Sequence, residues 1–246
     1  ATPVIQPPTQ SAPRSGADRE KQVQQIFSEI APRYDLLNHV LSLNIDRSWR
    51  RKAVDRLGWT DRPGGVYLDA CAGTFDLALE LARRADFEGR VVASDGLKED
   101  PAFKDQKIGG SAVESVCAES LRLPCGDDAF DGATVGFGVR NLSDLRTGLT
   151  ELRRVLKPGR RLVVLEFTVP PNRIMRASYL FYFHNILPLV GRIVSGHPWA
   201  YTYLPESVKE FPGPEALGAL FEEVGYHDVG WKLVSGGIAA IHWGSA

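Results

Sequence analysis

The stretch Val66-Tyr67-Leu68-Asp69-Ala70-Cys71-Ala72-Gly73-Thr74-Phe75-Asp76 carries the densest chemical information in the chain. An apolar run enters a turn of small residues and leaves it on a helical pattern. Small side chains around Gly73 let the backbone approach a ligand closely, and the N–H groups that open a helix suit polar ligand atoms. The three-glycine pattern of dinucleotide sites is missing. So is any lysine between Asp69 and Asp76 that would answer a phosphate. Asp95 ends the next apolar run, about 20 residues on, where a carboxylate can take both ribose hydroxyls. Together these features predict a site for an adenosine without phosphates, which favours S-adenosylmethionine over ATP. Asp69 is placed either near the methionine end of such a ligand or as a cap for the turn.

Those groups need a scaffold, and the pattern supplies one. Strands are expected at Val66–Ala70, Arg90–Asp95, Ala112–Cys117, Gly132–Phe137 and Arg161–Phe167, with helices at Asp76–Arg84 and Ser143–Leu156. Leu145, Leu149, Leu152 and Leu156 share one helical face, whereas Leu162-Val163-Val164-Leu165 is apolar on both faces, as a doubly covered sheet requires. The alternation predicts an α/β fold, a doubly wound, mostly parallel seven-stranded sheet. Val23, Ile26, Phe27 and Ile30 at helical spacing, and then Asp46–Leu57, predict two helices ahead of it. Behind it Pro214 opens a helix, and strands near Tyr226–Val234 and Gly237–Trp243 are joined by Ser235-Gly236-Gly237 as a hairpin. Residues 1–18, rich in Pro, Ser, Thr and Gln, read as a disordered tail, which leaves 19–246 as one domain with 172–212 as an insert.

Composition narrows the partners. With 29 basic against 30 acidic side chains, nothing electrostatic calls for nucleic acid. Cys71, Cys117 and Cys125 form no C-x-x-C pair, which argues against a disulfide framework or a zinc site and for a reducing, cytoplasmic setting. No metal site is expected. No run reaches the roughly 18–20 uninterrupted apolar residues that cross a bilayer.

Several segments resemble one family. They are Phe27-Ser28-Glu29-Ile30-Ala31-Pro32-Arg33-Tyr34-Asp35-Leu36-Leu37-Asn38, continuing from Ser42 to Trp49; Phe137-Gly138-Val139-Arg140-Asn141; Val155-Leu156-Lys157-Pro158-Gly159; Leu165-Glu166-Phe167; Tyr203-Leu204-Pro205-Glu206-Ser207-Val208; and Gly236-Gly237-Ile238. The Lys157-Pro158-Gly159 turn is shared by many methyltransferases, while the Tyr34-to-Trp49 signature and Phe137 to Asn141 are specific. In this order they resemble the ubiquinone/menaquinone biosynthesis C-methyltransferases, which are class I S-adenosylmethionine-dependent enzymes. The resemblance implies cofactor contacts at Gly73 and Thr74 in the first turn, at Asp95 for the ribose, at Glu119 and Ser120 near the adenine amine, and at Gly136 after the fourth strand. Each has a structural reading beside it: Thr74 bonding its own turn, Glu119 a solvated loop acid, Gly136 a packing glycine.

The implied reaction moves a methyl group from the sulfonium to a ring carbon of a prenylated quinol, demethylmenaquinol or its ubiquinol-pathway counterpart. A neutral aromatic carbon is a poor nucleophile, so an adjacent hydroxyl must ionise. Arg140 suits a developing phenolate, and Asn141 can orient the same oxygen or a water that takes the proton. Arginine stays protonated and is no base; a water relay lined by Tyr34, Asp35, Asn38 and His39 is the expected route. The segment Ile174 to Val190, interrupted by Arg176, His184, Asn185 and Pro188, reads as a tail tunnel, an interfacial contact or a buried helix. The basic residues Arg146, Arg153, Arg154, Lys157, Arg160 and Arg161 read first as a solvated helix face and second as a lure for anionic lipid.

Three departures from the family pattern stand out. Phe75 occupies a position that is often glycine, Gly96-Leu97-Lys98-Glu99-Asp100-Pro101 replaces an apolar start to a helix over the adenine, and a short loop ends in Gly109-Gly110. They leave open two further readings: a methyltransferase for another small aromatic or lipid acceptor, and a non-catalytic relative that binds quinone or a partner protein. Peripheral membrane contact and a homodimer are open as well.

Overall fold

The computed structural model describes residues 45–96, 106–108, 111–182, 185 and 207–246. The expected tail, the helix around Val23 to Ile30, Tyr34, Asp35, Asn38 and His39 lie outside the described residues, as do 97–101, Gly109-Gly110 and 203–206.

The first described helix, α1 (Asp46–Arg56), opens on Asp46, whose carboxylate accepts from Arg50 Nε one turn on at 3.2 Å. Strand β1 (Val66–Ala70) leads through the small-residue turn to α2 (Asp76–Ala82), and β2 (Arg90–Asp95) follows. After β3 (Gln106–Ile108) and β4 (Ser111–Cys117), β5 (Ala133–Gly136) feeds a 3-10 turn at Val139–Asn141 and α3 (Leu145–Val155). Helix α3 is capped by Asp144, which accepts from Thr147 N–H at 3.0 Å, the N-cap bond that satisfies one of the orphan donors of a helix start. Then come β6 (Arg161–Phe167), α4 (Arg173–Phe181), α5 (Pro214–Glu223), β7 (His227–Val234) and β8 (Ala239–Ser245).

The sheet runs β3-β4-β2-β1-β5-β6-β8-β7. Strands β4, β2, β1, β5 and β6 are mutually parallel, and β8 and β7 turn antiparallel on one edge. The expected mostly parallel seven-stranded sheet is there, and three-residue β3 extends it by an eighth strand, pairing antiparallel with β4. No periodicity marks so short a strand, since three residues complete barely one alternation. Strand β6 shows why the sheet needs two covers. Leu162 and Val164 pack among Leu149, Leu152 and Phe221 on the α3–α5 face, while Val163 and Leu165 pack among Trp49, Leu77 and Leu81 on the α1–α2 face. Alternate side chains of a strand point to opposite faces, so an unbroken apolar run is what this position demands.

Chain order reverses between β1 and β5, which are sequence-distant neighbours. Such a switch point opens a crevice beyond the carboxyl ends of the strands. Helix α1 borders that end: Trp49 Nε1 donates to Ser235 Oγ at 2.9 Å in the β7–β8 turn, and its ring meets Phe167 edge-on at 6.2 Å.

Candidate active site

The turn after β1 is held from both sides. Ala72 N–H donates to Ser94 O at 3.0 Å and Phe75 N–H to Ala72 O at 2.8 Å. Cys71, Gly73 and Phe75 all take left-handed backbone conformations, φ 51, 51 and 65. Gly73 N–H donates to Asp95 Oδ2 at 2.9 Å, so two residues expected to contact the same ligand touch each other directly. Gly138, after β5, packs against this turn so closely that a Cβ there would lie 2.3 Å from Cys71 Cβ. Glycine is needed at 138 because no side chain fits the space between the two loops.

Phe75 departs from the glycine often found at this position. Its ring is buried in the cluster that includes Leu77 and Leu81, and burial offsets a left-handed backbone cost of roughly 1–2 kcal/mol for a non-glycine residue. Gly136 packs in the same direction, since a Cβ there would meet Leu77 Cδ1 at 2.8 Å. Thr74 Oγ1 donates to Asp76 Oδ2 at 3.3 Å, and Asp76 in turn pairs with Arg50 at 3.0 Å. Ser120 is buried with its Oγ 3.1 Å from Cys71 Sγ, which joins the loop after β4 to the first turn. Glu119 is exposed beside Gly96, whose added Cβ would lie 3.9 Å from Glu119 Cγ.

Asp69 is buried inside β1. Its Oδ2 accepts from Ala78 N–H and its Oδ1 from Thr134 Oγ1, both at 2.9 Å. One of the helix N–H groups that the sequence offers to a ligand is therefore taken by the protein itself, and the cap reading of Asp69 is the one its hydrogen bonds match. Burial is the main cause that pushes this carboxyl up to about 7, with Thr134, Ala78 and Arg50 pulling the other way. A native carboxyl with raised affinity binds more protons than the unfolded chain, so its contribution to stability falls as pH climbs from about 4 to about 7 and levels off above. Asp69→Asn is expected to flatten that decline. Denaturant unfolding of both proteins at pH 5 and pH 8 checks it, and an unchanged difference between the two pH values speaks against this assignment.

Arg140 comes to the same end of the sheet from the 3-10 turn after β5. Its Nη1 lies 2.5 Å from Glu166 Oε1, and the two side chains are 0% and 1% exposed. Nη1 also donates to Phe137 O at 2.8 Å, and the guanidinium lies 5.6 Å from the Phe167 ring centroid. Phe137 and Phe167 stack at 4.5 Å, and Arg50 sits 5.4 Å from the Phe137 centroid. Asn141 is half-buried in the same turn, its N–H donating to Gly138 O at 3.1 Å. Tyr179 of α4 is buried where both Arg140 and Glu166 act on its hydroxyl, and burial raises that hydroxyl above the ordinary tyrosine value.

Glu166 as the partner of Arg140, and the chain Asp46–Arg50–Asp76, escaped sequence reasoning. A single acid in the otherwise apolar run Leu162 to Phe167 was the available signal for the first. The i,i+4 spacing of Asp46 and Arg50 was the signal for the second. Among the described residues no group of three or more His, Cys, Asp or Glu side chains is placed to hold a metal ion.

A parallel sheet with a switch-point crevice, a glycine turn against the acid ending the second strand, and no phosphate-binding lysine define the class I S-adenosylmethionine-dependent methyltransferase fold. A solved SAM-dependent methyltransferase from Thermotoga maritima shares it, with a TM-score of 0.59 at 17% identity, covering 91% of this chain and 99% of that one. The model of the ubiE/COQ5 methyltransferase family matches residues 16–246, and the chain belongs to that family. A demethylmenaquinone methyltransferase of Thermus thermophilus is 47% identical over 221 residues, 89% of this chain and 99% of that protein. The ubiquinone/menaquinone biosynthesis C-methyltransferase UbiE of Geobacter sulfurreducens is 41% identical over 233 residues, 92% of this chain and 89% of that protein.

Proposed function

We propose that this chain transfers the methyl group of S-adenosylmethionine to a ring carbon of a demethylated, prenylated menaquinol. The observation that carries the reading is the meeting, at one end of the sheet, of the Gly73–Asp95 contact with the buried Arg140–Glu166 pair and its aromatic surround. The residues fit an adenosyl ligand: Asp95 offers a carboxylate for the ribose, Gly73 and Gly138 keep the loops thin, and Ser120 and Glu119 border the adenine side. The bound cosubstrate supplies an electrophilic methyl group on a sulfonium. The protein's own share is positioning and charge: it holds the ring in line with the methyl and stabilises the phenolate that makes the ring carbon nucleophilic. Arg140 carries that second task, with Asn141 orienting the oxygen; Tyr34, outside the described residues, is the third catalytic residue that the family resemblance implies.

The test is methyl transfer by the purified chain from S-adenosylmethionine to a demethylmenaquinol with a short prenyl tail, followed by mass spectrometry. A product heavier by one methylene supports the reading. Absence of transfer overturns it, and equal transfer to a naphthoquinol without any tail favours the alternative of a small aromatic acceptor.

Residues 172–212 serve, on this reading, as the substrate cover. Helix α4 turns Ile174 and Phe181 outward, 79% and 60% exposed, an arrangement suited to a polyprenyl tail at the edge of a membrane. Contact of this kind would be peripheral; among the described residues no helix is long and apolar enough to cross a bilayer. Ile174→Ser with Phe181→Ser is expected to raise KM for a long-tailed quinol about tenfold while leaving a short-tailed one within about twofold, since each removed side chain contributes roughly 1.5–3 kcal/mol when fully buried and less at an interface. Equal effects on both substrates would remove the tail from the account.

A further inference from the structure

We propose that Glu166 is the base that receives the ring-hydroxyl proton of the acceptor, on its Oε2 oxygen. This rests on the quinol methylation proposed above and supplies the proton acceptor that Arg140 cannot be. Glu166 is the last residue but one of β6, beside the 3-10 turn that carries Arg140 and Asn141. Its two oxygens are unequally engaged. Oε1 accepts from Arg140 Nη1 at 2.5 Å and from Phe167 N–H at 2.9 Å, whereas among the described residues Oε2 accepts the single, long 3.4 Å contact from Arg140 N–H. A carboxylate has about four acceptor positions, so Oε2 keeps capacity beside the Arg140 backbone N–H.

Burial speaks for this oxygen. The Arg140–Glu166 pair is neutral as a unit and almost wholly buried. A quinol hydroxyl that ionises beside it has in Glu166 an acceptor inside the buried site, so its proton need not cross to solvent. Passing the proton to Glu166 moves the negative charge from carboxylate to phenolate, and the same guanidinium compensates it before and after. The other groups facing Glu166 do not compete for the proton: Arg140 is permanently charged, Cys71 holds its own proton because burial pushes its thiol up to about 12, and the Tyr179 hydroxyl is likewise raised. Burial also raises the Glu166 carboxyl itself, against the pull of Arg140, which narrows the gap to a phenol and eases the transfer.

The steps balance. The ring O–H bond breaks and its proton bonds to Oε2, while the oxygen's electron pair moves into the ring. A ring carbon bonds to the methyl group as the S–CH3 bond breaks, leaving neutral S-adenosylhomocysteine. The hydrogen on that carbon leaves as a proton to water as aromaticity returns, and the ring oxygen takes one proton from water to restore the hydroxyl. Glu166 then releases its proton to solvent, one for each methyl transferred.

The experiment uses the full chain, S-adenosylmethionine and the short-tailed demethylmenaquinol. Glu166→Gln keeps the shape and an acceptor for the Arg140 and Phe167 N–H groups but cannot take a proton. Expected are a fall in kcat of at least about 100-fold, the lower range for loss of a general base, with S-adenosylmethionine affinity within about threefold by calorimetry. The acid limb of the wild-type kcat–pH profile should vanish, and Glu166→Asp should retain a limb at a shifted pH. A kcat within about threefold of wild type overturns the proposal, and so does an acid limb that persists unmoved. If Glu166→Gln fails to fold and bind S-adenosylmethionine, Glu166→Asp decides alone: a displaced limb supports the base, an unmoved limb refutes it. Wild-type chain that leaves this quinol unmethylated overturns the function and the base together, whereas an active wild type with an active Glu166→Gln overturns only the base.

Discussion

Replacement of Asp95 by alanine is expected to weaken S-adenosylmethionine binding about 100-fold, with little change in the folded state. A carboxylate that takes both ribose hydroxyls makes two charge-assisted hydrogen bonds, each worth about 1.5–3 kcal/mol. Losing both, partly repaid by water, amounts to roughly 3 kcal/mol, or about 100-fold in Kd. The substitution also frees the Gly73 N–H that Asp95 Oδ2 holds at 2.9 Å, so the turn loses its tie to β2 where the ligand needs it thin. Asp95→Asn keeps one acceptor oxygen and should cost nearer tenfold. Calorimetric titration with S-adenosylmethionine and with S-adenosylhomocysteine measures both variants. Unchanged affinity in Asp95→Ala would place the adenosyl group elsewhere and remove the main support for the site.

Arg140→Ala is expected to abolish turnover and also to destabilise the protein, which a substrate-only role would not do. Removing one partner of a buried ion pair leaves the other uncompensated, typically at about 3–5 kcal/mol, or on the order of 10 °C in Tm for a chain of this size. The abandoned Glu166, at 1% exposure, answers by taking up a proton. Its native affinity for that proton then exceeds the unfolded value by more than in the wild type, so the loss of stability should deepen as pH rises from about 5 to about 8. Arg140→Met combined with Glu166→Leu separates the roles. With both charges gone and volume kept, stability should recover to within about 1–2 kcal/mol of wild type while methyl transfer stays absent. Recovery of transfer in that double variant would make the pair a purely structural device.

Much of the fold was written in local pattern. The apolar runs at β1, β2 and β6 match the structure at both ends, and the helices after β1 and β5 are one or two residues shorter at one or both ends than their periodicity suggests, because capping shapes the ends: Asp144 closes the start of α3 and Arg83 ends α2. The site was legible to a different degree. Asp95 could be singled out because a strand-terminal acid about 20 residues past a glycine turn has a known chemical use, and Arg140 was carried by the Phe137-to-Asn141 motif. Neither argument contains the partner. Phe75 stands out in the sequence only as a departure from glycine, since the direction of its ring depends on a left-handed backbone that only the folded turn reveals.

What the sequence by itself determined is therefore the class of sheet, the family, and the acid and small-residue turn of an adenosyl site, all properties encoded within a strand or a short motif. The tertiary structure alone decided which buried polar and charged groups meet. Asp69 meets Thr134 across 65 residues, Arg140 meets Glu166 across 26, and Trp49 meets Ser235 across 186. Those separations span elements whose adjacency comes from sheet order, and β1 lies beside β5 only because the chain crosses over at the switch point. A buried charge must find its counterion at the place where strands become neighbours, and that place is set by the packing of the whole sheet rather than by the residues on either side of it in the chain.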